Sequence, residues 1–347
     1  MRPMSHCPTL SRRRALLLAG AGLVTLPFAT ASGQTLPALN PRLSGDLYPV
    51  HDPCIIKAGE TFYVFCTTPH ADLPAQIPWY HSSDLLHWER GGHVLPEVPA
   101  WARQEIPATT ACWAPDISWF DGQYFLYYAC STFGSNHSVL GLATNKSLDP
   151  QSPDFSWTDR GLVLKSQTRD DFNALDPNRV IDREGRHWLA FGSFWSGLKM
   201  LQIEPHTGMP LPNAQRIDLA RRPGAPDAIE AVFIIQRAGN YYLFASFDFC
   251  CRGANSSYYT VAGRAKDIQG PYVDRNGKPM LEGGGTLVLA AGPGERRWKG
   301  PGHVAIIRDD GKDFIIYHAY DAGHDGRPTL RIAPLGWTED NWPVAFV

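Results

Sequence analysis

Five stretches of the chain share one pattern, and that repetition constrains the fold more than any bulk property. They read "HDPCIIKAGETFYVFCTT", "APDISWFDGQYFLYYACS", "DPNRVIDREGRHWLAFGS", "EAVFIIQRAGNYYLFASF" and "GHVAIIRDDGKDFIIYHAY". Each holds a short apolar run, a polar turn, and a glycine followed three residues later by an aromatic that opens a second run. The pairs are Gly59 with Phe62, Gly122 with Phe125, Gly185 with Trp188, Gly239 with Tyr242, and Gly311 with Phe314. Two short β-rich runs bounded by such a turn form a hairpin. The glycines lie 63, 63, 54 and 72 residues apart, so the unit repeats five times with loops of variable length.

More strand-like sequence follows several of the hairpins: "PWYHSSDLLHWER", "SVLGLATNKSLDP", "YYTVAGRAKDIQGPYV" and "TLRIAPLGWTEDNWP". About four strands per unit, repeated radially, predict an all-β fold, a five-bladed β-propeller. A β-sandwich is the alternative, but it gives no reason for five matched hairpins.

In a propeller the innermost strand of each blade lines a central channel. Residues at the same end of the five strands therefore converge on the axis. At that place the repeats carry Asp52, Asp116, Asp176, Glu230 and His303. One acid at a strand start commonly caps a turn. Four acids gathered in a cleft repel each other and resist desolvation, a cost that folding alone does not reward. Carboxylates in an aromatic-rimmed pocket suit glycoside hydrolysis, where one group stays ionised as base or nucleophile and another stays protonated as acid. A third carboxylate beside the acid would help keep it protonated.

The N-terminus has a different character. Residues 1–31 carry a basic run, Arg12 to Arg14 after Ser11, then an apolar segment, then Ala29-Thr30-Ala31. That is the layout of a cleaved export signal of the twin-arginine type, so the expected product is a periplasmic or secreted propeller spanning residues 32–347. Its removal takes four arginines and leaves 28 basic against 34 acidic side chains, a net charge of −6. That charge does not suit nucleic acid, and no later segment is apolar enough to span a membrane. Of the seven cysteines, Cys7 lies in the leader, and no Cys-x-x-Cys pair suggests structural zinc. Cys250 and Cys251 read as packing residues, since nothing nearby in sequence would activate a thiolate.

The stretches "HDP", "WAPD", "FNALDPNRVIDREGRHWLAFGSFWSG", "IEAVFI", "YYLFASFDFCCRG", "MLEGGGTLVL", "GPGH" and "YHAYD" resemble glycoside hydrolase family 43, most closely its arabinan endo-1,5-α-L-arabinosidases. The likeness runs from about residue 45 to 343. It implies a five-bladed propeller that hydrolyses plant-wall arabinan or arabino-oligosaccharides with inversion, and no feature of the sequence demands more than a monomer. An exo-acting arabinofuranosidase or β-xylosidase on the same scaffold is the alternative, with a non-catalytic sugar-binding propeller behind it. Carried over by motif, Asp52 would be the general base, Glu230 the general acid, and Asp176 the residue that tunes and orients the acid. Val232 stands where the family usually has proline. His303 of "GPGH" would hold a metal ion, often calcium, at the channel axis mainly through waters, with His318 of "YHAYD" as a weaker neighbour. Trp113, Phe133 and Trp195 are candidates to stack on sugar faces. Asn173 and Ser193 are candidates for sugar hydroxyls. Asp116 would either support substrate or order the second blade.

Overall fold

The computed structural model describes residues 38–347, so the expected leader lies outside the described residues. Five sheets are formed, each from strands consecutive in sequence. Blade 1 spans residues 44–95, blade 2 residues 112–166, blade 3 residues 178–220, blade 4 residues 229–289 and blade 5 residues 298–345. Blades 2 to 5 have four strands, and blade 1 gains a fifth where Ser44–Gly45 pairs in parallel with His87 and Trp88. The all-β five-bladed propeller is the observed fold.

The repeated glycine is a hairpin turn. In blades 2, 4 and 5 the first two strands are joined by Asp121-Gly122, Ala238-Gly239 and Asp310-Gly311, and both residues of each pair have positive φ. Such two-residue turns match the right-handed twist of the strands they connect, and glycine at the second place adopts the geometry without steric cost.

The second strand of each hairpin is apolar at nearly every position because both faces are covered. In "QYFLYYAC", Tyr124, Leu126, Tyr128 and Cys130 pack toward blade 1, while Phe125, Tyr127 and Ala129 pack toward blade 3. The same two-residue alternation recurs around the ring, giving five apolar clusters, one between each pair of adjacent blades. The ring closes at the start of the described chain. Asn40 donates to Tyr317 Oη at 2.9 Å and accepts from the Ile332 N–H at 3.1 Å, tying the segment before blade 1 onto blade 5.

One backbone feature sets the site. Asp52, Ala114, Asp176, Ala231 and His303, one per blade, all have φ between +43° and +58°. In blades 2, 4 and 5 the first strand runs through this place and slips register there, between Trp113 and Asp116, Glu230 and Phe233, and Gly302 and Ala305. A bulge of this kind re-aims side chains at a strand end. The register corrects one expectation: Asp116 lies two residues beyond its blade's positive-φ position, so it is not equivalent to Asp52.

Candidate active site

A cavity of about 810 Å³ opens over this ring, a size suited to a small-molecule site. Asp52, Asp176, Glu230 and His303 line it, as do Trp113, Phe133, Asn173, Ser193 and Trp195. Phe133 is 83 % exposed and Trp195 38 %, so neither ring serves the core. Asn173 is buried and already bonded, its Oδ1 accepting from Ser138 at 2.6 Å.

Asp116 does not line the cavity. It is buried, with Oδ1 taking the Asn178 side-chain N–H at 3.0 Å and Oδ2 the Arg179 backbone N–H at 2.8 Å. The expectation of substrate contact is therefore corrected: this carboxyl joins blade 2 to blade 3. Burial pushes its pKa up to about 7.

Asp52 sits among imidazoles. Its Oδ2 lies 2.7 Å from His51 Nδ1 and accepts from the Thr67 hydroxyl at 2.6 Å, while Oδ1 lies 3.0 Å from His303 Nδ1. Its backbone N–H donates to His318 Nδ1 at 3.0 Å. Burial raises the Asp52 carboxyl, but His51 and His303 outweigh it and hold the group well below the usual carboxylate range. Burial likewise lowers His303, yet Asp52, Asp176 and Glu230 together drive it up to about 9.

Glu230 sits among hydroxyls. Ser193 Oγ donates to its Oε2 and Tyr258 Oη to its Oε1, each at 2.7 Å. Burial raises Glu230 and the two hydroxyls oppose the rise without cancelling it, so the net shift is upward. Ser193 therefore serves the carboxyl. Gly302 of "GPGH" gives Tyr258 its place, since a Cβ there would lie 2.3 Å from the Tyr258 ring. Asp176 Oδ2 accepts the Ala231 N–H at 2.9 Å, next to Glu230 in the chain. Burial pushes Asp176 up to about 7; His303 opposes this, while Glu230 and Asp52 add to it. Val232 is buried between blades 3 and 4, so the departure from proline leaves Glu230 in the cavity.

His303 belongs to no group of three clustered ligand atoms among the described residues. The two such groups are His51 with Cys250 and Cys251, and His51 with Asp52 and His318. One imidazole fits an ion bound mainly through waters, but not a dehydrated calcium site, which takes about six to eight oxygen ligands. His318 is neutral: burial lowers its pKa, and the Asp52 N–H occupies its Nδ1.

Sequence reasoning missed His51, Thr67, Tyr258 and Tyr320. His51 and Tyr320 stand in the quoted motifs, whereas Thr67 and Tyr258 give no local signal. The packing reading of Cys250 and Cys251 is also corrected. They are joined to each other in a disulfide and line the cavity, because the loop after the second strand of blade 4 turns back over it.

Comparison with known proteins follows this geometry. The model of glycosyl hydrolases family 43 matches residues 39–343. An extracellular exo-α-(1→5)-L-arabinofuranosidase of Cellvibrio japonicus is 39 % identical over 305 residues, covering 85 % of each chain. An extracellular endo-α-(1→5)-L-arabinanase of Bacillus subtilis is 38 % identical, covering 93 % of this chain and 94 % of its own. Among solved structures, an α-L-arabinanase of Cellvibrio cellulosa complexed with arabinohexaose superposes with a TM-score of 0.81 at 37 % identity, over 86 % of this chain and 96 % of that one.

Proposed function

The chain belongs to glycosyl hydrolases family 43, and on that premise we propose that it hydrolyses the α-1,5 links between L-arabinofuranosyl units of arabinan, with inversion at the anomeric carbon. The observation that carries this reading is a pair of buried carboxyls in one cavity whose proton affinities are driven apart, Asp52 down and Glu230 up. Such a pair can supply a base and an acid at one pH.

Asp52, held as the anion, takes a proton from the attacking water. Glu230, whose hold on its proton burial strengthens, gives that proton to the leaving glycosidic oxygen. Asp176 orients the acid by holding the Ala231 N–H. Trp113, Phe133 and Trp195 offer apolar faces to the furanose rings. An ion held by His303 through waters would add positive charge near the carboxylates.

The endo-acting reading fits the Bacillus relative, and the exo-acting alternative has specific support in the similarly close Cellvibrio relative. Incubation with linear α-1,5-arabinan separates them. A rapid fall in viscosity with mixed short oligomers, absent in Glu230→Ala, supports endo attack. Release of one short product at nearly constant viscosity supports exo attack. No release from any pentose polymer would sink catalysis and leave a sugar-binding protein. Proton NMR of the first product tests inversion, which requires the β-anomer.

Both curated relatives are named extracellular, which together with the leader supports export by the twin-arginine route. No helix among the described residues is long and apolar enough to cross a membrane.

A further inference from the structure

The Cys250–Cys251 disulfide lines the cavity beside His51 and has no part in the reaction as described. Cys251 has a φ of +63°, which a residue with a side chain rarely adopts. Held so, its N–H donates to Tyr320 Oη at 2.7 Å, joining the blade 4 loop to blade 5. Burial raises the pKa of Tyr320, so the phenol keeps its proton. The acceptor it meets at hydrogen-bond distance is His51 Nε2 at 2.7 Å; the Cys251 sulfur at 4.0 Å is a weak one. An accepting Nε2 leaves the imidazole proton on Nδ1, facing Asp52 Oδ2 at 2.7 Å. A chain of donors thus runs in one direction, from Cys251 through Tyr320 and His51 to the carboxylate.

This chain decides which oxygen of Asp52 can act. Oδ2 accepts from both His51 and Thr67 and has no lone pair left, whereas Oδ1 accepts only from His303. One lone pair of Oδ1 remains for a water.

We propose that Tyr320 and His51 are positioning residues for Asp52, and that the Cys250–Cys251 bond locks the loop conformation from which their chain starts. The proposal rests on the reading of Asp52 as the base. Tyr320→Phe keeps the ring beside His51 and His318 and removes only the hydroxyl. It is expected to lower kcat on arabino-oligosaccharides about tenfold, with KM within about twofold, because small errors in the aim of a catalytic group act on the transition state. Opening the disulfide of the purified protein with tris(2-carboxyethyl)phosphine, checked by two new thiols, should lower kcat by a similar factor and add little in Tyr320→Phe. His51→Asn, whose amide can still donate toward Asp52, should recover part of the kcat lost in His51→Ala. Thermal midpoints measured alongside separate these effects from unfolding.

A rise in KM at constant kcat on reduction would make the disulfide a sugar-contact surface and overturn the proposal. So would losses that multiply when reduction and Tyr320→Phe are combined. Asp52→Ala serves as the control. Activity surviving in it would sink the base assignment itself, whereas wild-type kcat in both Tyr320→Phe and the reduced protein, with Asp52 still essential, would sink only the chain.

Discussion

Asp52 and Glu230 are carboxyls in the same cavity, both buried, at the head of the first strands of blades 1 and 4. Their neighbours differ in kind. Asp52 lies against the ring nitrogens of His51 and of His303, whose pKa the surrounding carboxylates drive up to about 9, whereas the hydrogen-bond donors to Glu230 are the neutral hydroxyls of Ser193 and Tyr258, and His303 acts on it more weakly. Desolvation raises both groups, and a cation beside a carboxylate offsets that far more strongly than a hydroxyl does. The comparison teaches that burial is the shared background and that the partners decide the direction of each shift.

The comparison breaks most directly by removing each carboxyl. Asp52→Ala should lower kcat on arabinan by about 10²–10⁴-fold or more and stay low on aryl arabinofuranosides with good leaving groups. Glu230→Ala should lose as much on arabinan but recover on those aryl substrates, which need little protonation. Equal recovery in both variants would erase the distinction.

Removing one partner at a time sharpens it. His303→Ala takes a cation from Asp52, so the Asp52 pKa rises and the acid limb of kcat/KM should move to higher pH. Tyr258→Phe takes a donor from the Glu230 carboxylate, so the Glu230 pKa rises further and the alkaline limb should also move up, with the acid limb unchanged. Limbs that shift the other way would contradict these assignments.

Smaller effects lie outside the pair. Phe133→Ala, at an exposed ring, should raise KM for oligosaccharides up to about tenfold with kcat nearly constant, since one aromatic contact is worth about 0.5–1.5 kcal/mol. Asp116→Ala should leave two buried N–H groups without acceptors and cost about 1–3 kcal/mol of stability in denaturant unfolding. Activity per folded molecule should be kept, which sets this acid apart from the two it resembles in sequence.

The hairpins are legible because they are local: a positive-φ glycine and a two-residue alternation can be read within twenty residues. The ring was legible where the motif residue itself has the positive φ, as at Asp52, Asp176 and His303, or stands immediately before it, as at Glu230. It failed at Asp116, because the bulge in blade 2 places Ala114 where the other blades suggested an acid. It also failed at the partners. Thr67 reaches Asp52 from 15 residues away, Ser193 reaches Glu230 from 37, and Tyr320 reaches His51 from 269.

The amino-acid sequence by itself determined the five blades, the resemblance to the family, and the three carboxyls that face the cavity, since each rests on short-range spacing along the chain. Only the tertiary structure decided which carboxyl has its proton affinity lowered and which has it raised, which hydroxyls and imidazoles hold each, and that Cys250 and Cys251 face the cavity. The physical reason is that proton affinity follows desolvation and the charge within a few ångströms. Around the axis of a propeller, that neighbourhood is assembled from blades far apart in sequence.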